Sequence, residues 1–384
     1  MNGIRLILTR HTLGLLVVFG VVQGVESNRN VGVSRRVSLE GPGDLGAKSC
    51  EVIQILDSTG EPGEYSMVVD SVVCKEAKCE ILPVRLFFDA VGNYERYELP
   101  PGRNLTKLGH QPFSPADHEK LHQILSDPYS QLKSIQWNQI TLPTESASKT
   151  RSGDYDAISG ATALSKRSMV VVGAAYTCFT LWHWSHGAVR NVIREMTIRA
   201  SDKQDWLRYV QGPKEPYVVF GLEQLAAQKQ FDPETITAVV EVMRRGSLRV
   251  VDPALSYLAK ASRETKTDHF FRCAEDDGLA AQPEKRVRFL EALRDGNHKL
   301  PADCLDRLST WLGRAGSYYE VHLLLTLLER HQVASDRATN QALALLGSTD
   351  ALIVRRSYRY LKAQKLSPSL QKKLEAFEQQ NPDP

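Results

Sequence analysis

The chain has 384 residues, enough for two domains of ordinary size. Its 48 basic residues nearly balance its 45 acidic residues, which leaves a formal net charge of +3. A chain this close to electrical balance has no electrostatic basis for binding nucleic acid, and we expect no such partner.

The N-terminus has the pattern of a secretory signal peptide over residues 1–24. Arg5 and Arg10 supply positive charge, and an uncharged apolar run follows over residues 13–22. Small residues then precede a cleavage point after Gly24. An uncleaved anchor is the alternative, although the apolar run is short for a membrane span. We therefore expect an exported protein, either periplasmic or extracellular.

The segment after the signal peptide, residues 25–46, is polar and rich in glycine, which is typical of a flexible leader. Residues 47–200 then read as an α+β domain. Ser114 followed by Pro115 predicts the start of a helix that runs to about Leu125. The strand-like segments are rich in β-branched and aromatic residues and cover 51–56, 65–73, 81–88 and 94–99.

Six cysteines in an exported chain permit disulfide bonds. Cys74 and Cys79 stand between two β-rich segments joined by a short polar connection, which predicts a hairpin closed by a disulfide. Half of a metal site is the alternative, but no second Cys or His pair has a matching spacing. Cys273 and Cys304 lie in the helical half, where they either pair or remain buried thiols.

The most informative segment of the chain is Asp-Ala-Ile-Ser-Gly-Ala-Thr at residues 156–162. Gly160 and Ala161 carry almost no side-chain bulk, so another enzyme can approach the backbone closely. The hydroxyl of Thr162 is a nucleophile that can become a phosphoester oxygen. Ser159 and Thr162 also suit the start of a helix, where backbone N–H groups favour a phosphate. A simple turn into a helix is the alternative interpretation.

This segment resembles the target motif of flavin transferases, which join FMN through its phosphate to a threonine. Proteins with this motif include the flavin subunits of the sodium-pumping quinone reductase and the Rnf complex, and many secreted bacterial flavoproteins. The resemblance implies covalent FMN on Thr162 and a flavin transferase as the maturation partner. It also implies that the transferase, with its magnesium, recognises Asp156. Family members have a hydroxyl two residues after the threonine, where this chain has Leu164, and Ser165 is the fallback acceptor.

The resemblance extends over residues 74–186, roughly a third of the chain, to a group of secreted bacterial flavin-binding proteins. It implies that Lys107 and His110 contact the flavin phosphate or the N1/O2 edge of the ring; a solvated loop is the alternative. The matching segments keep their order and comprise the cysteine pair, residues 88–94, 105–110, 113–117, 125–127, the flavin motif and residues 173–183.

Residues 176–186 place four aromatic and two histidine side chains on one predicted helix. Tyr176 or Trp182 is a candidate for stacking against the isoalloxazine ring of the flavin. Packing into the domain core is the alternative, and we expect it for most of these side chains. His183 and His186 have no carboxylate or third ligand in register, so no metal site is predicted.

Residues 201–384 are predicted to be all-helical, with an internal repeat of about 34 residues. Helix starts recur near residues 233, 267, 301, 335 and 367, and Leu290 and Leu324 are one step apart. Two helices per repeat predict a HEAT-like solenoid of helix hairpins, with an irregular bundle as the alternative. The tetratricopeptide pattern is not matched, because its Trp, Gly and Tyr positions are absent.

Together these features predict an extracytoplasmic flavoprotein that carries electrons on covalent FMN and has no substrate pocket of its own. The helical region is expected to dock a redox partner, either a protein or a membrane complex. One alternative is a flavin-dependent reductase of a small extracellular acceptor, for which the sequence shows no acid–base constellation. The other is a helical-repeat adaptor without a cofactor.

Overall fold

The chain divides into two compact units, Met1–Val189 and Arg190–Pro384, eleven residues before the boundary expected from the sequence. The first unit combines an antiparallel sheet with helices, and the second is all-helical, so the protein is α+β followed by all-α. The computed structural model describes residues 31–41, 47–56, 62–71, 82–136, 140, 168–261, 278, 281–296, 300, 302–331 and 335–381.

The first unit is built on five antiparallel strands in the order β1-β2-β3-β4-β5. Buried side chains of the central strands form its core, among them Val52, Tyr65, Met67, Val84 and Leu86. Strand register sets Tyr65 opposite Phe88 and Phe87 opposite Arg96. The strands are β1 (Val31–Leu39), β2 (Lys48–Leu56), β3 (Pro62–Ser71), β4 (Leu82–Phe88) and β5 (Tyr94–Glu98), and a two-residue pair, β6 (Thr106–Lys107) and β7 (Gln111–Pro112), follows.

Strands β4 and β5 form a hairpin across residues 89–93. The Asp89 carboxylate accepts hydrogen bonds from the backbone N–H groups of Val91 (3.0 Å) and Asn93 (2.8 Å). Gly92 has a φ of 79°, a backbone conformation that glycine adopts without steric cost. The turn therefore satisfies its own backbone, which fixes the register of β5 against β4.

Strand β1 corrects the predicted flexible leader, because it occupies residues 31–39 of that segment. Val37 and Leu39 are buried, and the backbone pairs along β2 with Val37 opposite Cys50. The indole N–H of Trp184 donates to the carbonyl of Glu40 at 3.0 Å and so holds the end of the strand. Val31, Val33, Val37 and Leu39 lie at alternate positions interrupted only by Arg35, which is a strand pattern that the interpretation as a flexible leader overlooked.

Two helices complete the described part of the first unit. Helix α1 (Pro115–Ser126) begins where it was predicted, with the Ser114 hydroxyl accepting from Asp117 N–H and proline at its first position. Helix α2 (Ala175–His186) is almost entirely buried and packs against α1. Helix α1 also packs on β5, so α1 lies between the sheet edge and α2.

The second unit contains helices that begin with recognisable caps. Asp232 and Ser335 accept hydrogen bonds from backbone N–H groups three residues later, as their N-cap positions in the sequence predicted. The helices are α3 (Ala188–Ala200), α4 (Lys203–Gln211), α5 (Glu215–Ala227), α6 (Pro233–Arg245), α7 (Leu248–Ala259), α8 (Pro283–Asp295), α9 (Ala302–Ser309), α10 (Tyr318–Arg330), α11 (Asp336–Ala344), α12 (Ala351–Lys362) and α13 (Pro368–Gln380).

Helices of the second unit contact both their sequence neighbours and the helices two places along. Consecutive contacts join α4 to α5, α6 to α7, α9 to α10 and α11 to α12. A second series links α5, α7, α8, α10 and α12 in that order. Gly221 permits the close approach of α5 to α4, because a Cβ atom there would lie 2.8 Å from the carbonyl oxygen of Trp206.

Basic side chains bind the C-terminal carbonyls of several helices. Arg245 donates to the carbonyl of Val210 at 2.9 Å, at the end of α4. Lys285 on α8 donates to the carbonyl of Arg244 at 2.7 Å, at the end of α6. Arg330 donates in the same way to the carbonyl of Arg294, at the end of α8. Each cation satisfies a carbonyl that has no partner within its helix and complements the negative end of the helix dipole.

One ion pair in this unit is fully buried. Arg286 on α8 contacts Glu320 on α10, with side-chain exposures of 3% and 1%. Glu320 also accepts from the backbone N–H of Gly316 at 3.1 Å, and Arg286 donates to the carbonyl of Arg314 at 3.2 Å. The two charges are therefore satisfied by each other and by backbone groups, which a buried pair requires.

Candidate functional site

The residues of the predicted flavin motif lie outside the described part of the chain; these are Asp156, Ser159, Gly160, Ala161, Thr162 and the fallback Ser165. The nearest described segment, residues 168–174, leads from the motif into α2. Gly173 there has a φ of 82°, and the N–H of Val171 donates to Sγ of Cys178 at 3.3 Å. The chain therefore enters α2 through a turn that is fixed by α2 itself.

The start of α2 is built from small residues. Gly173, Ala174 and Ala175 carry no side chain beyond Cβ. Ala174 is the N-cap residue, and its side chain makes no capping hydrogen bond to the first turn of the helix. A helix start with this character favours negative charge, because the backbone N–H groups and the helix dipole point out of it. The first residue of α2 follows Thr162 by thirteen positions.

The two candidate stacking residues on α2 are both buried. Tyr176 is 4% exposed, and this burial raises the pKa of its phenol to about 12. Trp182 is 3% exposed, and its indole N–H donates to the carbonyl of Asp127 at 2.9 Å. The Trp182 ring contacts the His183 ring edge-on, with ring centroids 4.9 Å apart, and the tilted His186 ring, with centroids 4.8 Å apart. Both residues belong to the core, and flavin stacking on either ring stays a prediction.

The two histidines of α2 bind backbone carbonyls near the end of α1. The Nε2–H of His186 donates to Leu125 at 2.9 Å, and that of His183 donates to Leu132 at 3.1 Å. Burial lowers the pKa of His183, although the hydrogen bond to Leu132 opposes this shift. Together with Trp182, the histidines satisfy the last carbonyls of α1 and the turn after it. Within the described residues, no group of three or more His, Cys, Asp or Glu side chains could hold a metal ion.

Lys107 is engaged by α1 in the described structure. Its ammonium lies 2.8 Å from the Asp117 carboxylate, which also accepts hydrogen bonds from the backbone and hydroxyl groups of Ser114. Burial raises the pKa of Asp117, but these hydrogen bonds outweigh the burial and leave the pKa at about 2. His110 is exposed at a φ of 60°. A flavin phosphate would have to displace Asp117 to reach the ammonium of Lys107.

A chain of hydrogen bonds between β5 and α1 was not predicted from the sequence. The phenol of Tyr97 lies 2.5 Å from Nδ1 of His118, whose Nε2–H donates to the Asn104 side chain at 2.8 Å. Tyr94 and His122 form a second pair at 3.3 Å. Burial raises the pKa of both tyrosines and lowers that of His118, which keeps all three groups neutral at pH 7.

The only sequence signal for these pairs was the spacing of His118 and His122. The two residues are four positions apart, on one face of α1. Their tyrosine partners are more than 20 residues away, and the partnership depends on how α1 packs on β5. The pairs join the helix to the sheet edge through side-chain hydrogen bonds.

Cys74 and Cys79 lie outside the described residues, as does Cys273, so their pairing stays a prediction. Among the described cysteines, Cys50 on β2 is half-buried, and burial raises the pKa of its thiol. Cys178 and Cys304 are buried in the first and second unit respectively. Their burial agrees with the interior positions that cysteine commonly occupies.

Comparison with known proteins gives no relative: no family model, no curated protein and no solved structure matches the chain. The resemblance of residues 74–186 to flavin-binding proteins therefore depends on the sequence motifs. None of the described helices has the length and apolar character needed to cross a membrane.

Proposed function

We propose that this protein is an exported electron-transfer flavoprotein, periplasmic or extracellular, with FMN esterified to Thr162. The observation that carries the proposal is the complete Asp-Ala-Ile-Ser-Gly-Ala-Thr sequence at residues 156–162. It follows an N-terminal segment with the pattern of a secretory signal and lies in the α+β unit. The bound flavin would supply the redox chemistry, and the protein would hold and orient it.

Attachment requires a flavin transferase with FAD and magnesium. The Thr162 oxygen attacks the phosphorus on the FMN side of the FAD pyrophosphate, loses its proton and forms a phosphoester, and AMP leaves. Gly160 and Ala161 keep the acceptor clear of side-chain bulk for this reaction. Asp156 is part of what the transferase recognises, together with its magnesium. This chain contributes the nucleophile and its access, and the catalytic groups belong to the transferase.

The described residues next to the motif fit a tethered phosphate. Gly173 carries no side chain and is half-buried beside the start of α2, whereas Ala174 and Ala175 are buried, and the N-cap residue Ala174 has no side-chain oxygen that could cap the helix. A phosphate near this turn would be stabilised by the helix dipole. Lys107 contributes to this fit only if it leaves Asp117, so the backbone is the better candidate for the phosphate contact.

The helical unit would serve as a HEAT-like docking array for a redox partner, either a protein or a membrane complex. Helices α5, α7, α8, α10 and α12 begin at residues 215, 248, 283, 318 and 351, in steps of 33 to 35 residues. These helices also form the second series of contacts in the unit. A constant step with contact between equivalent helices is expected of stacked repeats, which commonly present binding surfaces.

Flavin attachment is tested by mass. The full chain is co-expressed with a flavin transferase in an exporting host, and intact mass and in-gel flavin fluorescence are recorded. We expect an added FMN-phosphoryl mass in the wild type and in Ser165→Ala, and none in Thr162→Ala. Asp156→Ala should reduce the modified fraction, since it alters the recognition sequence and leaves the nucleophile in place.

Two results would redirect the proposal. An adduct that survives in Thr162→Ala and disappears in Ser165→Ala would move the attachment to Ser165. A wild-type chain that is exported, folded and unmodified would refute the flavoprotein and favour the adaptor. Turnover with small electron acceptors would then separate a reductase from a carrier, because only a reductase would show a saturable acceptor dependence.

A further inference from the structure

The C-terminal end of the helical unit carries a concentrated positive charge. Residues 351–374 contain seven basic residues and no acidic residue, in a chain whose overall net charge is only +3. This segment covers α12 and the first half of α13. The charge is therefore local to the last two helices.

Five of these seven cations lie at the surface without an ion-pair partner in the described structure. Arg356 forms a two-bond pair with Glu329 on α10, at 2.9 and 2.8 Å, and Lys362 binds Glu378 on α13 at 2.8 Å. These two contacts hold α12 between its neighbours. The cations that remain exposed and unpaired are Arg355, Arg359, Lys365, Lys372 and Lys373.

Two of the unpaired arginines share one face of α12 with an exposed leucine. Leu352, Arg355 and Arg359 are spaced three and four residues apart, which places them along one stripe of the helix. Leu352 is 54% exposed, although it is a large apolar residue. Ile353, Ser357 and the 360–361 pair face the interior of the unit. We call the stripe of Leu352, Arg355 and Arg359 the α12 surface.

We propose that the α12 surface docks an acidic protein, with carboxylates on the two arginines and an apolar contact on Leu352. A guanidinium binds a carboxylate through two parallel hydrogen bonds, and Arg356 on another face of α12 binds Glu329 in this way. The three lysines near α13 add a field that attracts acidic surfaces. A single exposed leucine offers too little apolar area for insertion into a bilayer, which favours a protein over a membrane.

The acidic protein is the partner that the helical unit is proposed to dock, so its assignment rests on that part of the proposed function. It does not depend on the flavin. The Thr162→Ala chain should bind an acidic probe as the wild type does. Loss of the flavin adduct and loss of docking are thereby separate results.

The test measures binding of the full chain to a labelled peptide of repeated Glu-Glu-Leu units, with a Gln-Gln-Leu peptide for comparison. Arg355→Glu combined with Arg359→Glu should weaken binding about tenfold, because two attractions become two repulsions. The matched control is Arg249→Glu combined with Lys260→Glu, which reverses two exposed, unpaired cations, one in the first turn of α7 and one directly after its last residue. Raising the salt concentration should weaken the wild-type complex towards the level of the charge-reversed variant.

The outcome discriminates between an acidic protein, an anionic membrane and a nucleic acid as the partner. Binding that needs the Glu peptide and the α12 arginines supports the proposal, and Leu352→Ala should then weaken it further. Equal binding by wild type and the α12 variant overturns it, as does an equal loss in the α7 control. Stronger binding at equal salt to phosphatidylglycerol vesicles or to single-stranded DNA would also overturn it. Circular dichroism and the urea midpoint show that each variant is folded, as expected for exposed substitutions.

Discussion

The buried pair of Arg286 and Glu320 provides the sharpest test of how the helical unit is held together. Both side chains are almost fully removed from water and join α8 to α10. Glu320→Gln keeps the shape of the side chain but removes its charge. Arg286 then stays buried and charged but has lost the carboxylate of Glu320.

We expect Glu320→Gln to lower the free energy of unfolding by about 3–5 kcal/mol, the usual cost of leaving one charge of a buried pair uncompensated. With a urea dependence of about 3 kcal/mol per molar, this loss moves the unfolding midpoint down by about 1–2 M. Far-UV circular dichroism measures the transition, since the helices of the second unit supply much of the signal.

Two further variants separate charge burial from packing. Arg286→Met with Glu320→Leu removes both charges and should cost less than either single change, because no unpaired ion remains. Arg288→Met removes an exposed arginine of the same helix, paired with Glu291 at 3.3 Å, and should cost less than about 1 kcal/mol. A Glu320→Gln loss as small as that of Arg288→Met would refute the reasoning, as would a double variant whose loss equals the sum of the single losses.

Two remaining predictions concern groups that bind helix ends. The depressed pKa of Asp117, about 2, lies below the value of about 4 expected in the unfolded chain. The contribution of the ionised Asp117 carboxylate to the free energy of unfolding is therefore complete above pH 4 and is lost as the pH falls towards 2. Asp117→Asn should remove this part of the pH dependence of the urea midpoint. An unchanged dependence of the midpoint on pH would contradict the prediction. Lys285→Met removes the nearer of two side-chain donors to the carbonyl of Arg244, since Gln282 also donates to it at 3.2 Å. This variant should cost about 1 kcal/mol by urea unfolding, whereas the exposed Lys260→Met should cost almost nothing.

The elements that the sequence predicted well are those with a local chemical signal. Ser114 with Pro115 marked the start of α1, and Asp232 with Pro233 marked the start of α6. Four of the five strands of the main sheet were also expected within a few residues of their ends. In each case the hydrogen bonds or the side-chain periods that define the element lie within a few positions of one another.

Most of the features that were missed depend on contacts between distant residues. Strand β1 is the exception, because the alternation of Val31, Val33, Val37 and Leu39 is a local strand signal that was overlooked. The partnership of Arg286 with Glu320 spans 34 residues, and that of Tyr97 with His118 spans 21. An isolated arginine or histidine in a helix gives no sign of its partner, because the packing of whole helices decides the pairing.

The packing of the first unit also explains why a covalent link suits the proposed cofactor. Two of the side chains that the sequence placed near the flavin already have partners, since Trp182 donates to the carbonyl of Asp127 and Lys107 pairs with Asp117. A flavin held only by these groups would have to displace bonds that stabilise α1. Retention of a non-covalent ligand also depends on its free concentration relative to the dissociation constant, and dilution outside the cell lowers that concentration. A phosphoester at Thr162 removes the concentration dependence and leaves the core contacts of α2 intact. The flavin phosphate would then need only a favourable environment, such as the backbone N–H groups and the dipole at the start of α2.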